Sequence, residues 1–175
     1  MKTSRPLPLL IATTAIAVAT VPLAGCGSAF DLLEAAASGG PADTETRDAE
    51  TGEIVEGGTT DVFTIRVGDC LNDPTTDGEV YEVTTVPCGE PHDYEVYHHA
   101  ELADGEYPAD LDEQADALCM AAFADFVGVP FEESMLGFTY YTPTVQSWVQ
   151  GGDRAVDCLV YDQALTTGTL AGTAR

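Results

Sequence analysis

The sequence predicts an α+β domain in which a small antiparallel or mixed sheet is covered by one main helix and stapled by two disulfides. Three observations lead there. Several short runs alternate apolar and polar residues with the period of a strand. One segment between Asp110 and Pro130 carries the start and stop signals of a long helix. Four cysteines, Cys70, Cys88, Cys119 and Cys158, lie in the part expected to face an oxidising compartment.

That compartment is read from the amino terminus of the 175-residue chain. Lys2 and Arg5 make a short positive start, Leu7 to Ala24 contains no charged side chain, and the first acidic residue is Asp31. This is the layout of an export signal over residues 1–25. Leu23-Ala24-Gly25-Cys26 has the apolar-small-small-Cys order that resembles a bacterial lipobox. The resemblance implies that Cys26 is alkylated by a diacylglycerol and becomes the new amino terminus, which accounts for the odd fifth cysteine. At about 0.8 kcal/mol per buried methylene, two acyl chains hold a protein stably where one holds it only marginally. The competing reading is an uncleaved membrane span from Leu7 to Ala24, which Pro6, Pro8, Pro22 and the interspersed threonines disfavour. The expected location is therefore the cell membrane, lipid-anchored on the extracytoplasmic side.

Of the 6 basic residues only Arg47, Arg66, Arg154 and Arg175 follow Cys26, against all 30 acidic ones, so the mature chain carries a formal charge of 4 minus 30, or −26. Such a surface repels nucleic acid and anionic headgroups, so the expected membrane contact is the lipid and not a basic patch. Residues 26–60 are poor in large apolar side chains and broken by Gly39-Gly40-Pro41 and Gly57-Gly58, and they read as a flexible acidic linker. About 35 flexible residues reach on the order of 30 Å, enough to hold a domain clear of the bilayer. Ser28 to Ala37 has capping-box spacing at Ser28 and Asp31, but so short a helix is marginal alone.

The domain is expected over residues 61–168, followed by a tail over 169–175. Its first strand is read at Val62 to Val67, with Phe63, Ile65 and Val67 facing inward, and further strands at Val80 to Val86 and Tyr94 to Ala100. Asp77-Gly78 between the first two is a hairpin signal. The helix is opened by Asp110 and Glu113 in capping-box spacing and closed by Gly128 and Pro130. Leu111, Ala115, Leu118, Ala122 and Phe126 form its apolar face, with Cys119 beside them. A strand at Gly137 to Tyr141 follows. Thr142 then caps a short helix with Pro143 at its first position and Val145, Trp148 and Val149 on one side. In the last strand, Ala155 to Tyr161, Val156, Cys158 and Val160 share a face.

Four cysteines allow three connectivities. The favoured one joins Cys70 to Cys88, at the ends of neighbouring strands, and Cys119 to Cys158, fastening helix to sheet. Each bridge is worth about 3 to 4 kcal/mol in the loop-entropy account. The alternative is a zinc site from Cys70, Cys88 and His92, which lacks any C-x2-C spacing.

Gly68-Asp69-Cys70, Val86-Pro87-Cys88, Pro91-His92-Asp93-Tyr94-Glu95-Val96, Pro143-Thr144 with Ser147-Trp148, and Gly152-Asp153-Arg154 ahead of Cys158 together resemble the septum formation family of actinobacterial envelope proteins. The resemblance spans about Val62 to Tyr161. It implies a part in cell division or cell-wall assembly and an envelope or divisome protein as partner. Some proteins resembling the family carry a transmembrane helix where this chain has a lipobox. A lipoprotein of this kind has no cytosolic segment with which to meet an intracellular partner.

The residues most suited to chemistry are His92, Asp93 and Glu95. A hydrolase would use His92 as base, but a carboxylate near any histidine is expected by chance in so acidic a chain, and a disulfide-locked sulfur is no nucleophile. The plainer reading gives His92 and Asp93 a turn-setting role at the start of the Tyr94 strand, through a mutual hydrogen bond and a backbone contact. His98 and His99 lie on opposite faces of a strand and cannot share one ion, so surface and half-buried packing roles are expected. Asp73, Asp77 and Gly78 match part of a calcium loop whose twelfth position is Thr84 instead of Glu, so no metal or other cofactor is assigned. Trp148 is a candidate sugar or partner anchor, although its place on an apolar helix side favours core packing, and Arg154 is a further motif residue. The expectation is a non-enzymatic interaction module. A binder of a cation or cell-wall fragment is the alternative, and a hydrolase the third.

Overall fold

The computed structural model describes residues 43–72 and 78–175, which belong to one compact unit. Cys26, the export signal, the alternative membrane span, the Ser28 to Ala37 segment, Asp73 and Asp77 lie outside the described residues. Among the described residues no helix is long and apolar enough to cross a membrane.

Strands β1 (Thr46–Arg47) and β2 (Ile54–Glu56) form a small antiparallel ribbon. The main sheet contains β3 (Gly58–Asp61), β4 (Cys70–Asn72), β5 (Glu82–Val86), β6 (His92–Glu101), β7 (Gly137–Tyr141) and β8 (Ala155–Thr166). Their spatial order is β3-β5-β4-β6-β8-β7, antiparallel throughout. Helix α1 (Leu111–Val127) covers one face, where Phe123, Val127, Val156, Cys158 and Val160 are fully buried. On the other face Val62, Ile65, Leu71, Val83, Val96 and Leu159 form a second cluster. One α-helix on an antiparallel sheet is the predicted α+β architecture, and both disulfides, Cys70–Cys88 and Cys119–Cys158, are present.

Four expectations are corrected. Val62 to Val67 is not a strand: Val62–Thr64 is a single 3-10 turn whose cap is the Asp61 carboxylate, accepting from the Phe63 amide. The turn buries Val62 and Ile65 and leaves Phe63 and Val67 exposed. Asp110 makes no side-chain cap to the helix backbone and instead accepts from the Gln114 side chain. The helix buries Leu111, Ala115, Cys119, Phe123 and Val127, an i, i+4 row in which Cys119 is central and not peripheral. Leu118, Ala122 and Phe126 pack at its border.

The boundaries also move. Residues 43–60, read as part of the linker, carry β1, β2 and β3. Arg47 makes two parallel bonds of 2.7 and 2.8 Å to the buried Asp69 carboxylate and a third, of 3.0 Å, to Glu45. Beside Asp69 the guanidinium is held more firmly protonated than usual. The segment read as a tail packs as well: Leu170 is buried, and the amides of Gly172 and Ala174 donate to the carbonyls of Phe126 and Val127, two of the acceptors that a helix end leaves open. Composition alone hid both segments, because each buries a single large apolar residue, Ile54 or Leu170, and is otherwise fixed by hydrogen bonds of small and polar residues.

Candidate functional site

The sheet face opposite α1 is only partly covered, and its open end forms a cleft. Strand pairing brings Asp157 of β8 between His99 of β6 and Tyr141 of β7 in one cross-strand row. A bulge sets this row. Val96 pairs with Leu159 and His98 with Cys158, leaving Tyr97 as the extra residue, so His99 moves onto the face that carries Val96. His98 and His99 do face opposite sides, and His99 meets Asp157 at 2.7 Å and Glu101 at 3.4 Å. The Asp157 bond holds the His99 imidazole protonated to higher pH than usual, with Glu101 adding to it. Burial raises the Asp157 carboxyl above its ordinary value, opposed by His99 and reinforced by the Asp153 and Glu101 charges. Both groups keep their protons longer in the folded chain.

One wall of the cleft is the segment between β7 and β8. The Thr144 hydroxyl accepts from the Ser147 amide at 3.0 Å and the Ser147 hydroxyl accepts from the Thr144 amide at 3.0 Å, a reciprocal cap that starts a π-helical turn, Ser147–Gly151. The cap is Thr144, not Thr142. The Ser147 hydroxyl also donates to Asp153 at 2.7 Å, while the other Asp153 oxygen accepts from the Ala155 amide, so Asp153 ties the turn to β8. Gly152 between them has φ 71°, a left-handed conformation that glycine tolerates without strain. Single π-helical turns occur frequently at functional sites.

Trp148 does not enter the cleft surface. It is 4% exposed, donates to the Gly105 carbonyl at 3.0 Å and meets Tyr107 edge-on at 5.7 Å. The Arg154 guanidinium lies 3.7 Å from the Trp148 ring centroid and donates to the Trp148 and Asp153 carbonyls. The Trp148–Arg154 pair thus forms a buttress behind the π-helical turn.

Val145, ahead of the π-helical turn, and Val149, within it, are expected beside Trp148 on an apolar side but are 59% and 72% exposed. Facing Val145 across the opening are Phe63 and Tyr81, 58% and 59% exposed. The open cleft holds about 530 Å³, with Tyr107 and Tyr141 on its walls, Tyr140 at its edge, and Asp153 and Asp157 among its lining carboxylates. A shallower depression of about 340 Å³, reaching Gln146 and Gln150, shares Phe63, Tyr81, Thr144 and Ser147 with it. Volumes of this size suit a small ligand or a few residues of a peptide.

The other motif residues gather elsewhere, around the Cys70–Cys88 bridge. His92 is fully buried, and its Nδ1 lies 2.8 Å from the Glu90 carbonyl, to which it donates. Glu95 is also buried and accepts from the Thr169 hydroxyl and the Leu170 amide, so it holds the end of the chain. Asp93 lies half-buried in β6. His92, Asp93 and Glu95 therefore do not converge with Trp148 and Arg154. Among the described residues the one trio of potential metal-ligating atoms is Cys70, Cys88 and Glu95, within 4.8 Å of one another. Its two sulfurs are bonded to each other, which removes the thiolates that the zinc alternative required.

Residues 37–160 match the sequence profile described as septum formation. The chain belongs to the septum formation family. No curated protein and no solved structure matches it. The septum formation match begins at residue 37, inside the segment read as linker, in keeping with the strands found from Thr46 onward. At family level this membership points to a role in septum formation or cell division. Sequence reasoning missed Asp157, His99 and the tyrosines of the cleft. The period-2 pattern of β8 did mark that Val156, Cys158 and Val160 share a face, but the bulge and the pairing of β6 with β8 are set by tertiary packing.

Proposed function

We propose that this septum formation protein is a lipid-anchored, non-enzymatic recognition module on the outer face of the cytoplasmic membrane, and that it binds an envelope or divisome protein through the cleft bounded by Phe63, Tyr81 and Val145. The observation that carries the reading is the exposed apolar rim around an aromatic cavity, built on the Pro143-Thr144, Ser147-Trp148 and Asp153-Arg154 motif residues. Solvated apolar side chains around a concavity are the mark of a partner site. The buried position of His92, and the engagement of the Ser147 hydroxyl by Asp153, favour structural over catalytic parts for these groups. The anchor at Cys26 rests on the lipobox.

Complementation of a deletion strain tests this. Val145→Glu places a charge on the exposed rim and leaves the core untouched, so the variant is expected to accumulate normally and to lose septal function. Cys26→Ser is expected to lose fatty-acid labelling and leave the membrane fraction. Full rescue by Val145→Glu, or undiminished membrane retention of Cys26→Ser, contradicts the proposal.

A further inference from the structure

Resting on the cleft as the partner site, we infer that what enters it is a lysine- or arginine-bearing segment of the partner protein, its cationic side chain seated between the tyrosine faces and the Asp153–Asp157 carboxylates. The charge arrangement is the first reason. Asp157 is 6% exposed and Asp153 adjoins it, yet among the described residues no lysine or arginine lines the cavity. Arg47 is committed to Asp69 and Glu45, Arg175 to Asp162, and Arg154 to the Trp148 ring and Asp104. Arg66 lines a different cavity, beside the Cys70–Cys88 bridge. Among the described residues the one cationic partner of these carboxylates is His99, on one Asp157 oxygen.

The walls are the second reason. The rings of Tyr107 and Tyr141 are the aromatic groups beside the two carboxylates, whereas Tyr140, paired with Cys158, turns its ring to the helix-covered face. Aromatic faces attract an ammonium or guanidinium by their quadrupole, and carboxylates accept its N–H groups. A divalent metal ion is the poorer fit, since calcium takes six to eight oxygen ligands and, among the described residues, no three His, Cys, Asp or Glu ligand atoms converge in this cleft. The burial that raises the Asp157 carboxyl, with Asp153 adding to it, is the penalty that an incoming cation offsets. The rim adds selectivity: Phe63, Tyr81 and Val145 are placed to cover apolar residues flanking the cation.

Trp148, the single tryptophan of the chain, touches the cavity-lining Tyr107, and its fluorescence reports occupancy. The purified full-length chain in detergent is titrated with acetyl-Leu-Lys-Leu-amide, with its norleucine analogue and with calcium chloride. The lysine peptide is expected to bind about tenfold tighter than the norleucine peptide. Asp157→Asn, which keeps the side-chain shape, is expected to remove that difference. Because the lysine–norleucine comparison uses the unaltered protein, it does not depend on the variant folding. Equal binding of the two peptides, or a saturable response to calcium alone, overturns the inference. If Val145→Glu abolishes septal function while the two peptides bind equally, the cation inference falls and the cleft reading stands. If Val145→Glu is neutral, the cleft reading falls with it.

Discussion

The Arg47 guanidinium grips the Asp69 carboxylate through two parallel bonds, and the second Asp69 oxygen also accepts from the Arg66 amide. A residue from the expected linker thereby closes over the loop that leads into Cys70. Removing one partner of a largely buried ion pair leaves the other charge unpaired. Arg47→Ala is expected to destabilise the domain by about 3 kcal/mol, read from the urea midpoint. A midpoint unchanged within error would show that the segment before Gly58 is a tether after all.

Gly58 makes the same point sterically. A Cβ there would lie 2.5 Å from the Glu45 amide nitrogen and 2.7 Å from the Thr44 carbonyl carbon, both backbone atoms that cannot move aside cheaply. Gly58→Ala is expected to cost about 1 to 3 kcal/mol, as overpacking does. In a linker the same change is neutral or slightly stabilising. Thermal melts of the variant decide between the two.

These two residues show what local sequence carried and what it did not. The helix end was legible because Gly128, at φ 98°, is a chemical requirement of the chain reversal. The disulfides were legible from strand and helix placement, and β7 has the bounds expected for it, Gly137 to Tyr141. Phe63 and Val67 misled because an alternating run is also compatible with a capped 3-10 turn, and the Asp61 carboxylate decides the matter. Gly57-Gly58 misled because glycines that permit close approach of two backbones look like glycines that permit flexibility. The cleft was only partly legible. Pro143, Thr144 and Ser147 were named from the motif, whereas Asp157 and His99 meet through strand pairing 58 residues apart.

The two disulfides close loops of different length, with sequence separations of 18 for Cys70–Cys88 and 39 for Cys119–Cys158. The loop-entropy account gives about 3 and about 4 kcal/mol. Cys119 and Cys158 are also fully buried in the core under α1, so alanines there add a cavity cost. The double variant Cys119→Ala/Cys158→Ala is therefore expected to lose more stability than Cys70→Ala/Cys88→Ala. Denaturant curves in the reverse order would contradict the assignment of the main core to the helix-covered face.

His99 gives a pH dependence of defined sign. Its folded-state value lies above the ordinary 6.5 because of the Asp157 bond. The native state then binds the proton more tightly than the unfolded chain, so the stabilisation is complete below about pH 6.5 and fades as pH rises through the raised value. The raised Asp157 value acts in the same direction, between its ordinary 3.8 and its folded-state value. The His99 side chain is 43% exposed, and solvent screening keeps its share to a few tenths of a kcal/mol, up to about 1. The melting difference between the natural chain and His99→Ala should narrow from pH 6 to pH 9. A difference that widens over that range contradicts the pairing.

The most direct test of the central claim is photo-crosslinking in dividing cells, with a photoreactive amino acid placed at Val145 on the cleft rim or at Asp125 on the exposed side of α1. The account predicts one reproducible protein adduct from position 145, absent from position 125 and lost when Asp157→Asn is added. Equal adducts from both positions, or none from the rim while the chain is present at the septum, would contradict it.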